Sequence, residues 1–308
     1  ISKDRVLSLN GSSQVGRTDR IMNIAQETVH DYGSMNPESV SYFDGRIYAF
    51  DLHNGIVWRY AAEGQTDLSA EGKHNYFNAI GQSRRLYNEL DNRIISNIDT
   101  RYKTVHFTFY SRSGSGIASF TEGYEDSEMS KGWKGNFSFT PEMYGRIGQF
   151  FATFVDGEMW LHDSSVVAAC NFYGVQYPSY IEFVHNAEPA SIKTPYKIIE
   201  QATDIWIIDK AETYPTLSYP NPQISKIPST RFGVYEGKIE GEFLRNLKDD
   251  SQEFAVIEPT ELREASALLR GALLKYDAMK VRLLKRNPQT LGTILKVDIS
   301  FSKSENTI

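Results

Sequence analysis

Cysteine is almost missing from this 308-residue chain. Cys170 stands alone, which excludes an internal disulfide framework. It follows Val166-Val-Ala-Ala169 and reads as a small buried hydrophobe rather than a reactive thiol. No apolar run is long enough to span a bilayer, and no signal peptide or lipidation motif occurs. Folding in a reducing cytoplasm is the simplest expectation. Excess positive charge is also missing: 33 Lys and Arg stand against 39 Asp and Glu, a net charge of −6. That balance argues against a surface built to grip nucleic-acid phosphates, whereas a neutral or acidic wall would let DNA slide past. Position 1 is Ile and not Met, so the chain is expected to be a fragment of a longer one.

The usual catalytic signatures are absent as well. The six histidines, His30, His53, His74, His106, His162 and His185, never pair at the three- or four-residue spacing that sets two metal ligands on one helix face. His53 falls in an expected turn and His106 within an expected strand; both read as solvent-facing or hydrogen-bonded structural residues. His162-Asp163 could anchor a metal only with distant partners. Asn10-Gly-Ser-Ser-Gln-Val-Gly16 lacks the Gly-Lys-Ser/Thr ending of a phosphate loop, and no Gly-x-Ser-x-Gly elbow occurs. Carboxylates remain open. Asp44, Asp51, Asp99, Asp156 and Asp163 lie at or near the ends of expected strands, where a glycosidase could draw its pair. Asp before Gly is also what a tight turn wants. No catalytic, cofactor-binding or metal residue is therefore assigned, and the chain is not expected to be an enzyme.

What is present is β-structure. The chain carries 18 Tyr and 17 Phe, which suits strands. Ser39 to Tyr60 reads as three short strands joined by Asp44-Gly45 and Asn54-Gly55, dipeptides that favour type I′ turns. Its strands are apolar on both faces, so it must be covered on both, as a blade stacked between blades would be. Residues 19–29 and 76–90 have helical spacing. Val105, Phe107 and Phe109 alternate on one strand face, followed by a flexible loop at 111–116 and a return strand at 117–121. Phe137-Ser-Phe139, residues 149–155 and residues 158–162 repeat the theme. Phe43-Asp-Gly-Arg-Ile-Tyr48 and Val155-Asp-Gly-Glu-Met-Trp160 match in residue type around one hairpin turn.

Beyond Tyr173-Gly174 the character changes, which places a boundary near residue 175. Residues 180–185 and 204–208 are strands separated by looser sequence. Pro215, Pro220, Pro222 and Pro228 make 214–228 an extended arm, expected to reach a neighbouring subunit. Glu236-Gly237 turns another hairpin, Asp249 to Gln252 reads as an exposed tip, and Pro259 opens a short helix ending at Gly271. Residues 276–284 and 293–301 look like a closing hairpin through Asn287-Pro288. Met279, Val281 and Leu283 share one face of its first strand, and Leu295, Val297, Ile299 and Phe301 share one face of its second. The expected fold is mainly β: β-propeller-like blades over 1–175, then a β-sandwich-like domain with a short helix over 176–308.

Asn36-Pro-Glu-Ser-Val40, leading into Tyr42-Phe-Asp-Gly-Arg-Ile-Tyr48 and Asn54-Gly-Ile-Val-Trp-Arg-Tyr60, resembles the tail nozzle and muzzle proteins of podoviruses, the crAss-like bacteriophages among them. Residues 172–184, Leu269-Arg-Gly-Ala-Leu-Leu274 and Met279-Lys-Val-Arg-Leu283 are similar to later segments of that family. The resemblance implies a virion structural protein, one subunit of a closed and typically sixfold ring of copies around the DNA exit channel. It also implies contacts with other tail proteins and with DNA that passes without sequence-specific binding, and no membrane span. Family chains are longer, so this would be a C-terminal part whose propeller is completed by the N-terminal part of the same parent chain. Proteolytic maturation would explain Ile1. The competing expectation is a glycan- or receptor-binding propeller at the tail tip, with or without glycosidase activity, using exposed aromatics such as Trp58 or Trp160 to stack on sugars.

Overall fold

The computed structural model describes residues 30–85, 92–111, 118–128, 130–217, 219–247 and 272–303. The expected helices at 19–29 and 259–271, the glycine-rich segment at 10–16, the loop at 112–116 and the tip at 249–252 lie outside these residues. Among the described residues the protein is mainly β, built from several antiparallel sheets, none closed into a barrel. The chain divides into two compact units between His162 and Asp163.

The first unit opens with a meander: β1 (Ser41–Phe43), β2 (Arg46–Asp51), β3 (Ile56–Ala61) and β4 (Gly64–Asp67), paired in chain order. Asp44 and Gly45 have φ of 50° and 75°, the two positive values that a type I′ turn demands. The second turn differs from expectation. Residues 52–55 form a longer loop in which the Gly55 amide donates to the Asp51 carbonyl at 2.8 Å, and Gly55 alone in that loop has positive φ. The cause lies above it. Helix α1 (His74–Arg85) crosses so closely that a Cβ on Gly55 would sit 2.6 Å from the Asn78 Cα, and one on Gly81 would sit 2.8 Å from the Gly55 Cα. The fourth strand, Gly-Gln-Thr-Asp, has no apolar alternation, and pairing to β3 is what makes it a strand.

A second meander follows: β5 (Asn92–Asp99), β6 (Thr104–Ser111), β7 (Phe120–Asp126) and β8 (Lys131–Phe137). A third has three strands, β9 (Met143–Ile147), β10 (Phe150–Val155) and β11 (Glu158–Leu161). The hairpin motif recurs in geometry, with Asp156 and Gly157 at φ 52° and 79° and Val155 opposite Glu158 just as Phe43 is opposite Arg46. Its place in the sheet does not recur. The first copy joins the opening strands of its meander, and the second joins the closing strands.

These sheets stack in chain order. Val105, Phe107 and Phe109 of β6 point toward the first meander and share one core with Tyr48, Phe50, Val57 and Phe77 of α1. The opposite face of β6 meets the third meander: the His106 ring lies 5.0 Å from that of Phe151, and the Thr108 hydroxyl is 2.5 Å from that of Tyr144. Two-sided coverage, expected of the first meander, therefore belongs to the second. The outer face of the first is covered only in part, by residues 30–36, whose Gly33 and Tyr32 carbonyls accept from Trp58 Nε1 and Gln65 Nε2.

In the second unit a short hairpin, β12 (Asn171–Phe172) and β13 (Val175–Gln176), precedes eight strands in two sheets. These are β14 (Tyr180–His185), β15 (Lys193–Ala202), β16 (Trp206–Thr213), β17 (Ile224–Ile227), β18 (Phe232–Tyr235), β19 (Lys238–Glu242), β20 (Met279–Lys285) and β21 (Ile294–Lys303). The sheet orders are β14-β20-β16-β17 and β18-β19-β15-β21, and inward side chains of both, among them Ile208, Val281, Leu283, Ile198 and Ile299, form one core. Glu236-Gly237 turns its hairpin as expected, at φ 48° and 77°.

Four expectations fail here for identifiable reasons. The closing hairpin does not exist, because β20 and β21 lie in different sheets. Alternation reports a buried face but not the partner strand. Leu295 faces outward at 77% exposure, since the register slips between Gln201 opposite Lys296 and Ala202 opposite Ile294. That irregularity turns Ile294 toward the core instead. Strand β15 carries Pro195, which argues against a strand interior. It is accommodated by a bulge at Tyr196, between Pro195 opposite Phe301 and Lys197 opposite Ser300. Finally, the proline-rich arm is half packed: Ile224–Ile227 pairs with β16, and Ser225 and Ile227 are fully buried.

Candidate functional site

The five carboxylates singled out from the sequence serve their own turns. Asp44 and Asp156 occupy the first positive-φ position of their hairpins, and Asp163 has φ 60°. Buried Asp51 accepts from the Gly33 amide at 3.0 Å, the Asn54 amide at 3.0 Å and Asn54 Nδ2 at 2.9 Å, which ties the 52–55 loop to residues 30–36. Asp99 accepts from the Arg101 amide at 2.9 Å. Among the described residues, no group of three or more His, Cys, Asp or Glu is placed to hold a metal ion. Cys170 is half-buried in a turn at φ 58°, not a core residue. Trp58 and Trp160 are both half-buried.

One buried electrostatic centre was not legible as a motif. Asp126, at the end of β7, sits between the first two meanders. The Tyr48 hydroxyl donates to its Oδ2 at 2.6 Å, and Arg59 Nη1 donates to Oδ1 and Oδ2 at 3.1 and 3.0 Å. Arg46 Nη1 lies 3.1 Å from Oδ2. Burial alone would raise the carboxyl, but the Tyr48 hydroxyl and the two guanidiniums outweigh it and hold Asp126 below its ordinary value. The cavity beside it, lined by Phe43, Lys103, Val105 and Glu128, has a volume of about 40 Å³. That is room for water and far below the roughly 300 Å³ of a small-molecule site. Asp126 is an ionised anchor held by one hydroxyl and two guanidiniums.

His106 is the second centre, and it is buried rather than solvent-facing. It is buried among Phe137, Phe139 and Phe151, and its Nδ1 has no hydrogen-bond partner among the described residues. Burial, with the neighbouring His162, lowers it to about 3. Burial lowers His162 to about 4, and its Nε2 lies 2.9 Å from the Thr153 hydroxyl. His185 in the second unit has its Nδ1 3.0 Å from the Tyr276 hydroxyl.

Glu200 completes the set. It lies on the same inward face of β15 as Ile198 and is fully buried. Its Oε2 accepts from the Trp206 amide at 3.2 Å, while Oε1 and the Trp206 indole Nε1 have no partner among the described residues. Burial pushes Glu200 up to about 7, opposed only by that backbone N–H. An acid raised in the folded state favours folding below its unfolded pKa and disfavours it as pH rises through the folded value. Glu200→Gln, which removes the ionisation and keeps the shape, is therefore expected to raise the stability of the second unit by about 2–3 kcal/mol at pH 8 and by nothing near pH 4.5. Urea midpoints at both pH values check this, and equal effects at the two would remove the buried-acid argument.

No helix among the described residues is long and apolar enough to cross a membrane. Compared with known protein families and with curated proteins, the chain matches none.

Proposed function

We propose that this chain is a structural subunit of a bacteriophage tail nozzle, one copy in a ring around the channel through which DNA leaves. One observation carries the reading: three consecutive antiparallel meanders stacked face to face in chain order, the middle one covered on both sides. Such a stack is how consecutive propeller blades pack. The second unit, with two sheets around their own core, is the assembly domain in this reading. A net charge of −6 suits a channel wall past which DNA moves without being held. Buried polar groups act as fixed anchors, Asp126 above all, as a load-carrying part requires.

Cryo-electron microscopy of virions carrying this chain tests the proposal. The expected result is its density in a symmetric ring on the distal tail axis. Density in peripheral fibres, or none in the particle, overturns it. The packed strand Ile224–Ile227 narrows the arm that could reach a neighbour to residues 214–222, where Leu217 is fully exposed. Shortening that loop alone is the appropriate assembly variant, since deleting all of 214–228 would also remove a sheet strand.

A further inference from the structure

At both ends of the stack of three meanders the described residues leave a sheet face largely open, the first covered in part by residues 30–36, and each carries an uncharged patch. On the third meander, register places Phe154 opposite both Met143 and Met159, Ala152 opposite Gly145 and Leu161, and Phe150 opposite Ile147. Directly paired and alternate residues share a face. The inward face is the other one, carrying Phe151 and Tyr144 against the middle sheet. The outward face therefore consists of Met143, Ile147, Phe150, Phe154, Met159 and Leu161 around Ala152 and Gly145, without one ionisable side chain. The Phe154 ring folds over Gly145, where a Cβ would lie 2.9 Å from it. Met143, Ile147, Phe150, Met159 and Leu161 are nonetheless 44–55% exposed. They leave on the order of 500 Å² of contiguous apolar surface, near the upper end for a monomer. At the opposite end of the stack, Tyr42, Ile47, Tyr60 and Gln65 form a cross-strand row, again with no charge.

We infer that these two end faces bind each other between two copies of the chain, the third meander of each against the first meander of the other. A two-fold axis makes both contacts at once and closes the pair. The closed pair contains six meanders, within the four to eight blades that such rings use. The two contacts together bury on the order of 1,500 Å², the size of a standard stable interface. No charge on either row has to be stripped of water. Within one copy the same kind of contact already recurs twice, between successive sheets. The inference names the neighbour's contact surface and stands on the stack alone, so it survives or fails independently of the tail reading.

Sedimentation of the full chain over a concentration series reads it directly. The expected mass is twice the 35.0 kDa of one chain. Met159→Glu and Tyr60→Glu, at opposite ends of the stack, should each weaken association at least 100-fold, while Tyr196→Glu in the second unit leaves it unchanged. Folding of each variant is checked by circular dichroism. Phe150→Cys and Tyr60→Cys chains, each also carrying Cys170→Ser, keep the test open if the charged variants misfold. Mixed under oxidising conditions, they should cross-link to each other and not to themselves. A wild-type chain monomeric at 100-fold above micromolar concentration, or cross-links only between identical chains, overturns the head-to-tail pair.

Discussion

Replacing Asp126 by alanine is expected to destabilise the first unit by about 3–5 kcal/mol. The carboxylate is almost fully buried, as is Arg59, whose Nη1 spans both its oxygens. Removing it leaves a guanidinium in a water-poor site with, among the described residues, only the exposed Glu63 paired to it, at 2.7 Å from Nη2. The Tyr48 hydroxyl, also buried, loses its acceptor. Breaking a buried pair on one side costs far more than the pair is worth as a whole, because the surviving charge stays desolvated. Asp126→Asn should fall between: the amide oxygen still accepts from Tyr48, but the two arginines are no longer neutralised. A thermal melt should show the transition of the first unit lowered by about 10 °C or more. A loss under 1 kcal/mol would mean the anchor is solvated in solution and does not join the two meanders.

Asp126 also shows where sequence reading stops. Its partner Tyr48 lies 78 residues away, and nothing in the local pattern Tyr-Glu-Asp-Ser marks it as buried. By contrast, the hairpin turns at Asp44-Gly45, Asp156-Gly157 and Glu236-Gly237 were legible, because two consecutive positive φ angles all but require glycine in the second place. The inward face of β6 and that of β20 were legible from alternation of Val105, Phe107 and Phe109, and of Met279, Val281 and Leu283. The same alternation placed His106 on the reverse face. It could not say that β10 would cover that face, so a solvent-facing or hydrogen-bonded residue was expected where an apolar ring of phenylalanines buries it. Glu200 was findable, two residues beyond inward-facing Ile198, but Pro195 obscured the strand that carries both. Pairing partners remained out of reach. Nothing local distinguishes a strand that returns beside its predecessor from one that crosses to the opposite sheet, as β21 does.

The buried imidazoles make the first unit sensitive to acid before its carboxylates titrate. His106 and His162 are held neutral at about 3 and about 4, while in the unfolded chain each titrates near 6.5. Between roughly pH 6.5 and those values the unfolded state therefore binds more protons than the folded one. Stability rises with pH wherever that holds, so it is complete above about pH 7 and falls as pH drops below about 6.5. Each histidine contributes up to about 1.4 kcal/mol per pH unit, and together they should remove roughly 5 kcal/mol between pH 7 and pH 4. Asp126, depressed below its ordinary value, acts in the same direction but only at the acid end of that range. Glu200, in the other unit, acts in the opposite direction. His106→Leu separates these contributions, since an apolar side chain of similar reach keeps the contact with Phe151 and binds no proton. Its urea midpoint should change little at pH 7.5 and exceed that of the unsubstituted protein at pH 5, with the slope of stability against pH roughly halved. An unchanged slope would show that His106 is protonated in the folded state, and that water reaches the space between the second and third meanders.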